Sequence, residues 1–178
     1  MAYKTFQPPT EWTPPDIFPT QKILDAKEIA IDTETRDPSL KEKGPGYVRG
    51  DGEIVGVSIA IDGYADYFPF AHEAGFNFPK KRVLEFVQDV LSGDQDKIFH
   101  NAMYDVGWLK KEGVEVKGRV IDTMVVAPLV NENMYWYTLN SLGMEYLQEG
   151  KSEAELRQAA EEWGIDPKAE MWRLPSSY

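Results

Sequence analysis

Residues 29–35 read Ile-Ala-Ile-Asp-Thr-Glu-Thr, and this short stretch restricts the fold more than any other. Apolar residues followed by a Thr-rich end read as a strand, and strand side chains repeat every two residues, so Asp32 and Glu34 share one face. Read as buried, that strand sets two carboxylates side by side away from water. Such an arrangement is costly unless a positive partner, a shared proton or a metal ion offsets it.

The elements around this strand follow from periodicity and turn chemistry. A Gly/Pro-rich loop is expected over 36–53 (RDPSLKEKGPGYVRGDGE), then a second strand in GEIVGVSIAID. The turn DGYA leads into DYFPFA, which predicts an antiparallel hairpin. Val83, Phe86, Val87, Val90 and Leu91 stand at helical spacing, with Gly93 as the expected C-cap. DKIFHN reads as a buried strand, and AMYDVGWLKKEG as a helix entered at Asn101 and ending near Gly113. A further strand in GRVID runs into a helix bent or ended around Pro128; Leu139, Leu142 and Tyr146 mark the next helix. Ser152 and Glu155 form a capping box for a last helix that stops at Gly164 and Pro167. This order predicts an α/β domain built on a mixed sheet.

At 178 residues and 42% hydrophobic composition, the chain suits one core. Pro8, Pro9, Pro14, Pro15 and Pro19 mark residues 1–22 as an extended arm lying on the domain or on a partner, with the domain itself in 23–178. No apolar run approaches a membrane span or a signal peptide, so a soluble, cytoplasmic protein is expected. The absence of cysteine and the presence of only two histidines, His72 and His100, mean that oxygen ligands must hold any metal. A net charge of −11 opposes binding nucleic acid by electrostatics alone, although bases do gather in LKEKGPGYVRG.

In an open α/β sheet, side chains at the carboxyl ends of strands converge on a crevice. Asp105, one helical turn beyond Asn101, is the third candidate there, with Asn101 as the cap of its helix. Three carboxylates without Cys or His suit Mg²⁺ or Mn²⁺. Two such ions about 4 Å apart activate water and stabilise a leaving oxygen, which points to phosphodiester hydrolysis. An Asp-x-Glu triplet alone is weak evidence, since DGE at 51–53 is another; its strength comes from pairing with HNAMYD on a strand-to-helix turn.

IAIDTET followed by FHNAMYDVGWL resembles motifs I and II of the 3′-to-5′ exonucleases of the four-carboxylate (DEDD) superfamily, most closely the proofreading domain of phage-type family A DNA polymerases. The likeness continues through DPSLKEKGPGYVRGDGEIVGVSIA, VIDTMVVAPLVNEN and LGMEYLQEGKSE, covering about residues 24–178. It implies a ribonuclease H-like fold, a mixed central sheet flanked by helices. By the same resemblance Asp32 bridges two metals, Glu34 binds the catalytic one and places the 3′ end, and Asp105 holds the second. Thr33, Asn101 and Tyr104 match positions beside these ligands and the terminal nucleotide, and the substrate implied is a single-stranded DNA 3′ end.

The family's third motif, Tyr-x-x-x-Asp or His-x-x-x-Asp, does not follow here. EMWRLPSSY resembles the segment just upstream of it, with Tyr178 preceding the motif. The C-terminal part of the domain is therefore expected to be incomplete, and the fourth carboxylate to come from a polymerase region or a second chain. Two functional readings stand: a 3′-to-5′ DNA exonuclease module of the proofreading type, weak or inactive alone, and a non-catalytic module that binds nucleic acid or docks on a partner supplying the missing helix. A different ribonuclease H-like nuclease, cutting internally, is the third.

Other residues have structural readings. Asp122 follows a strand and caps the next helix, Glu132 is a surface acid, His100 packs or hydrogen-bonds, and His72 closes the hairpin. Lys41, Lys43 and Arg49 are candidate phosphate contacts on a loop. The five tryptophans are read as core or arm anchors. Apolar surface left open near the C-terminus is expected to favour self-association.

Overall fold

The computed structural model describes residues 12–150 and 153–177. The arm before Trp12, the capping box at Ser152 and Tyr178 lie outside the described residues. In chain order the elements are α1 (Thr20–Leu24), β1 (Glu28–Arg36), α2 (Leu40–Lys43), α3 (Gly46–Arg49), β2 (Glu53–Ile61), β3 (Tyr64–Pro69), α4 (Lys80–Leu91), β4 (Asp96–Phe99), α5 (Ala102–Lys111), β5 (Val120–Asp122), α6 (Thr123–Val130), α7 (Leu139–Leu147) and α8 (Ala154–Trp163), followed by a 3₁₀ turn at Met171–Arg173.

The five strands form one mixed sheet in the order β3-β2-β1-β4-β5. β1, β2 and β3 are antiparallel neighbours, and the tight turn between β2 and β3 uses Gly63 at φ 68°, a conformation that glycine takes without steric cost. β4 and β5 run parallel to β1, each reached through a helical crossover. Pairing between β1 and β4 covers only Glu28–Asp96, Ile29–Lys97 and Ala30–Ile98. Beyond Ala30 the two strands diverge, and the edge of β1 on that side is left to other partners.

One face of the sheet carries the core. Ile29, Ile31, Val57, Ile59, Phe68 and Phe99 join Val83, Phe86, Val87, Val90 and Leu91 of α4 and Trp108 and Leu109 of α5 in a single buried cluster. Burial of this apolar surface is the main stabilising term. The helical spacing read from α4 agrees with burial at every one of those five positions. The cap differs: the helix ends on Ser92 in a right-handed conformation, and Gly93 is not left-handed.

Several other expectations are modified. The segment 36–53 is not a plain loop, because α2 and α3 fold within it and each closes on a glycine, Gly44 and Gly50, at positive φ. The described part of the arm packs on the domain: Trp12 Nε1 donates to Asp66 Oδ1 at 2.9 Å, and Phe18 stands edge-on to Phe68 and Phe78. α1 crosses the boundary expected after residue 22, and Ile23 within it is fully buried. Trp108 is a core residue, whereas Trp136 is 71% exposed and anchors nothing in the core. Val125, Val126, Leu129 and Val130 of α6, with Leu147 of α7, are exposed as well, the open apolar surface expected toward the C-terminus. Among the described residues no helix is long and apolar enough to cross a membrane.

Candidate active site

β1 alternates as its sequence requires, with Ile29, Ile31 and Thr33 buried on the core side. Asp32 and Glu34 lie on the other side, Asp32 exposed and Glu34 half-buried. This corrects the premise of a buried carboxylate pair. The opposite face of the strand is fully packed, but the carboxylate face stays open to water, where two ionised groups cost far less.

Thr33, between them, ties the strand to the helix of the third carboxylate. Its backbone N–H donates to Asp105 Oδ1 at 2.9 Å, and its hydroxyl donates to the same oxygen at 2.6 Å. The N–H is available because β1 has outrun β4 at this point, so a side chain substitutes for the missing ladder partner. Asp105 sits in the first turn of α5 and is only 3% exposed. Burial lifts its carboxyl to about 6, the charge of Asp32 adds to the lift, and the two Thr33 bonds oppose it. Asp105 is thus bound to Thr33, the residue between Asp32 and Glu34 in β1, and lies within electrostatic reach of Asp32.

Asn101 precedes α5 in a left-handed conformation, φ 73°, which asparagine tolerates better than most residues. It was expected to cap the helix, but no side-chain cap bond forms. The cap comes from Asp122, whose carboxylate accepts from Asn101 N at 3.0 Å and Ala102 N at 2.8 Å while also accepting from Met124 N of α6 at 2.9 Å. The cap assigned to Asp122 on the next helix is present, and a second one accompanies it. His100 is hydrogen-bonded through Nδ1 to Thr123 Oγ1 at 2.9 Å, the packed role read for it.

Tyr104 reaches back over the end of β1, with its hydroxyl 2.8 Å from Thr35 Oγ1 and donating to Asp37 Oδ2 at 3.3 Å. Asp37 is the hub of the following segment. Its carboxylate, 2% exposed, accepts from Gly46 N at 2.8 Å and from Arg49 Nη2 at 2.9 Å. Arg49 also pairs with Asp51 at 2.7 Å, so the guanidinium expected on phosphate is turned inward, clasping its own segment. The Tyr47 ring lies where a Cβ at Gly107 would stand, and its hydroxyl donates to Met103 O at 3.3 Å, which seats α3 on α5. Lys41 and Lys43 remain on the surface of α2.

On the open face beside Glu34 lies a hollow of about 320 Å³ walled by Trp12, Tyr67, His72, Met171 and Leu174. Tyr67 OH and His72 Nε2 are 2.6 Å apart, and His72 Nδ1 lies 2.9 Å from Leu174 O. His72 therefore does more than close the hairpin: it fastens the C-terminal segment to β3. Burial pushes the Tyr67 hydroxyl far up, with the charges of Glu34 and Asp32 adding to it, and burial lowers His72. Sequence reasoning missed Asp37, Tyr67 and the second cap of Asp122. The Asp-Pro-Ser run before α2 was the available signal for Asp37; the other two depend on contacts between distant segments.

The donor chemistry fits a hard divalent cation. All three groups are carboxylates, and a raised carboxyl beside a second negative charge is a place where a cation lowers the energy. The arrangement is less complete than the chemistry. Among the described residues no three carboxylate or histidine groups stand close enough together to enclose an ion, and Asp105 Oδ1 is already committed to Thr33.

The mixed five-stranded sheet flanked by helices is the ribonuclease H-like fold. The solved structures with this fold include Brucella melitensis NrnC with bound Mg²⁺ (TM-score 0.55, 21% identity, covering 86% of this chain and 83% of that one). Escherichia coli RNase D, described as an exoribonuclease involved in structured RNA processing, has TM-score 0.54 at 16% identity, over 78% of this chain and 32% of that one. Residues 19–174 match the 3′-5′ exonuclease family model of the A-type DNA polymerases, and the chain belongs to that family. A DNA-directed DNA polymerase of Pseudomonas phage M6 is 38% identical over 192 aligned positions, covering all of this chain and 28% of the relative. DNA polymerase DpoZ of Salmonella phage PMBT28 is 30% identical over 137 positions, 76% of this chain and 19% of the relative. The chain thus spans less than a third of the length of these polymerases.

Proposed function

We propose that the chain is the proofreading exonuclease module of a phage-type DNA polymerase, hydrolysing the 3′-terminal phosphodiester of single-stranded DNA with Mg²⁺ or Mn²⁺ at Asp32, Glu34 and Asp105. The observation that carries this reading is the double bond from Thr33 to Asp105 Oδ1 across 72 residues, which brings motif II onto motif I between its two carboxylates. A pair of such ions supplies an activated water and charge neutralisation at the leaving oxygen.

The chain's own residues prepare that chemistry. Asp32 and Glu34 offer oxygens on the open face, and Thr33 fixes the carboxyl of Asp105 within reach of the Asp32 charge. Asp105, raised to about 6, must give up its proton to serve as a ligand, and at neutral pH it does so without strong resistance. On this reading Tyr104 and Asn101 would contact the terminal nucleotide, and Lys41 and Lys43, exposed on α2, would contact phosphates. Arg49 holds the segment that carries them. No Tyr-x-x-x-Asp or His-x-x-x-Asp follows Asp105, so on this reading a fourth carboxylate would be supplied by a polymerase region or a second chain.

Digestion of 5′-labelled single-stranded DNA in Mg²⁺ and in Mn²⁺, with Asp32→Ala in parallel, tests the proposal. A ladder shortening from the 3′ end and lost in the variant is the expected result; internal cuts would overturn it. No cleavage by folded protein would favour the second reading, a module that binds DNA without cutting it. That reading draws on the absence of a ready three-ligand cluster among the described residues.

A further inference from the structure

Asp122 carries more hydrogen bonds than a helix cap needs. One acceptor oxygen from Ser, Thr, Asn or Asp suffices to cap a helix, and Oδ1 meets that need for α6 through Met124 N at 2.9 Å. The two further bonds leave the element altogether. They run to Asn101 N and Ala102 N, 21 and 20 residues away, at the mouth of the motif II helix. β5 makes this possible, because its register with β4 sets Asp122 directly beside Phe99. The chain then passes from Phe99 through His100 to the left-handed Asn101, and the first turn of α5 follows.

The same seam is stitched a second time. Thr123 Oγ1 donates to Phe99 O at 3.1 Å and lies 2.9 Å from His100 Nδ1. The carboxylate also sits where the N-terminal ends of α5 and α6 converge, and both favour negative charge. A left-handed non-glycine residue persists when its surroundings over-determine it. Here the over-determining group is Asp122.

We propose that Asp122 is a positioning residue of the exonuclease site: by holding Asn101 in its left-handed turn, it fixes the direction in which α5 presents Asp105 to Thr33, Asp32 and Glu34. Its functional consequence rests on the exonuclease reading above; its geometric part does not. Asparagine cannot fully replace it, because its one acceptor oxygen can serve the Asn101 and Met124 N–H groups that share Oδ1, while its NH₂ is turned toward the Ala102 N–H that Oδ2 accepts. Glycine at position 101, which takes positive φ freely, should make the turn independent of Asp122.

The test is amide hydrogen exchange on ¹⁵N-labelled protein without metal, with Mn²⁺ affinity measured alongside. Thr33 N–H, bonded to Asp105 Oδ1, reports the seating of α5, and Ile29 and Ile59 in the core strands report global stability. In Asp122→Asn, Thr33 exchange is expected to rise about tenfold or more while Ile29 and Ile59 are unchanged. Mn²⁺ affinity should fall by about 10- to 100-fold, the range for an outer-shell partner. Adding Asn101→Gly to Asp122→Asn should restore Thr33 protection. Unchanged Thr33 exchange, or a rise shared equally by Ile29 and Ile59, would reduce Asp122 to an ordinary cap and overturn the proposal. If Thr33 responds as expected but the wild-type chain cuts DNA internally, the exonuclease reading fails and the positioning geometry survives.

Discussion

On the packed face of the sheet, β1 and β2 place Ile29, Ile31, Val57 and Ile59; on the opposite face the intervening residues are Ala30, Asp32, Glu34, Gly56, Ser58 and Ala60. The two faces share a backbone but not a task. The packed side repeats large branched residues that lock into α4 and α5. The open side is small and polar, with Asp32 and Glu34 at its end and a hollow beside them. Two charges that no core would accept can stand on this strand because its other face pays for the fold.

Mutations on the two faces should therefore separate activity from stability. The largest effect is expected from Asp32→Ala, which should lower cleavage of 3′ ends by more than about 100-fold, beyond the range for outer-shell partners, with the urea midpoint nearly unchanged. Loss of folding in this variant would break the comparison. Ile31→Ala, its neighbour on the packed side, should cost about 2–5 kcal/mol by urea denaturation. Any residual folded protein should keep its cleavage pattern.

A third expectation concerns Asp105, the group that lies between the faces. Its carboxyl is about 6 in the fold against 3.8 unfolded, so its contribution to stability is full below pH 3.8 and is lost as pH rises through about 6. In EDTA, Asp105→Asn should therefore gain stability relative to the parent as pH rises from 4 to 7, by on the order of 2–3 kcal/mol. A difference that stays flat over this range would contradict the burial argument. His72 has the opposite sign and a smaller effect. Burial lowers it from 6.5, so its neutral form stabilises the fold above that value and the contribution is lost as pH falls below it. His72→Gln should flatten that decline in thermal melts between pH 7 and 5.

Much of this was legible in the sequence. The strand at 29–35, the hairpin at Asp62-Gly63 and the apolar stripe of α4 rest on local periodicity and turn chemistry, which a sequence states directly. The mixed sheet followed from their order. The sense of burial around Asp32 was not legible, because alternation tells which residues share a face but not which face is covered. α2 and α3 were hidden in a Gly/Pro-rich run, since a single helical turn leaves too few residues for periodicity; the Asp37 carboxylate holds α3 through Gly46 and Arg49. Arg49 reads from sequence as a cation open to phosphate, whereas in the fold Asp37 and Asp51 clasp it. Asp122 was readable as one cap, and only the β4–β5 register made it two.

The proposed function requires Asp32 and Glu34 on the open face and Asp105, bonded to Thr33, to hold divalent cations together. Titration of Mn²⁺ followed by electron paramagnetic resonance, on the parent chain and on an Asp32→Asn, Glu34→Gln double variant of matched thermal stability, tests it most directly. Saturable Mn²⁺ binding by the parent and its loss in the double variant are expected. Equal binding by both proteins, or none by the folded parent, would contradict the proposed function.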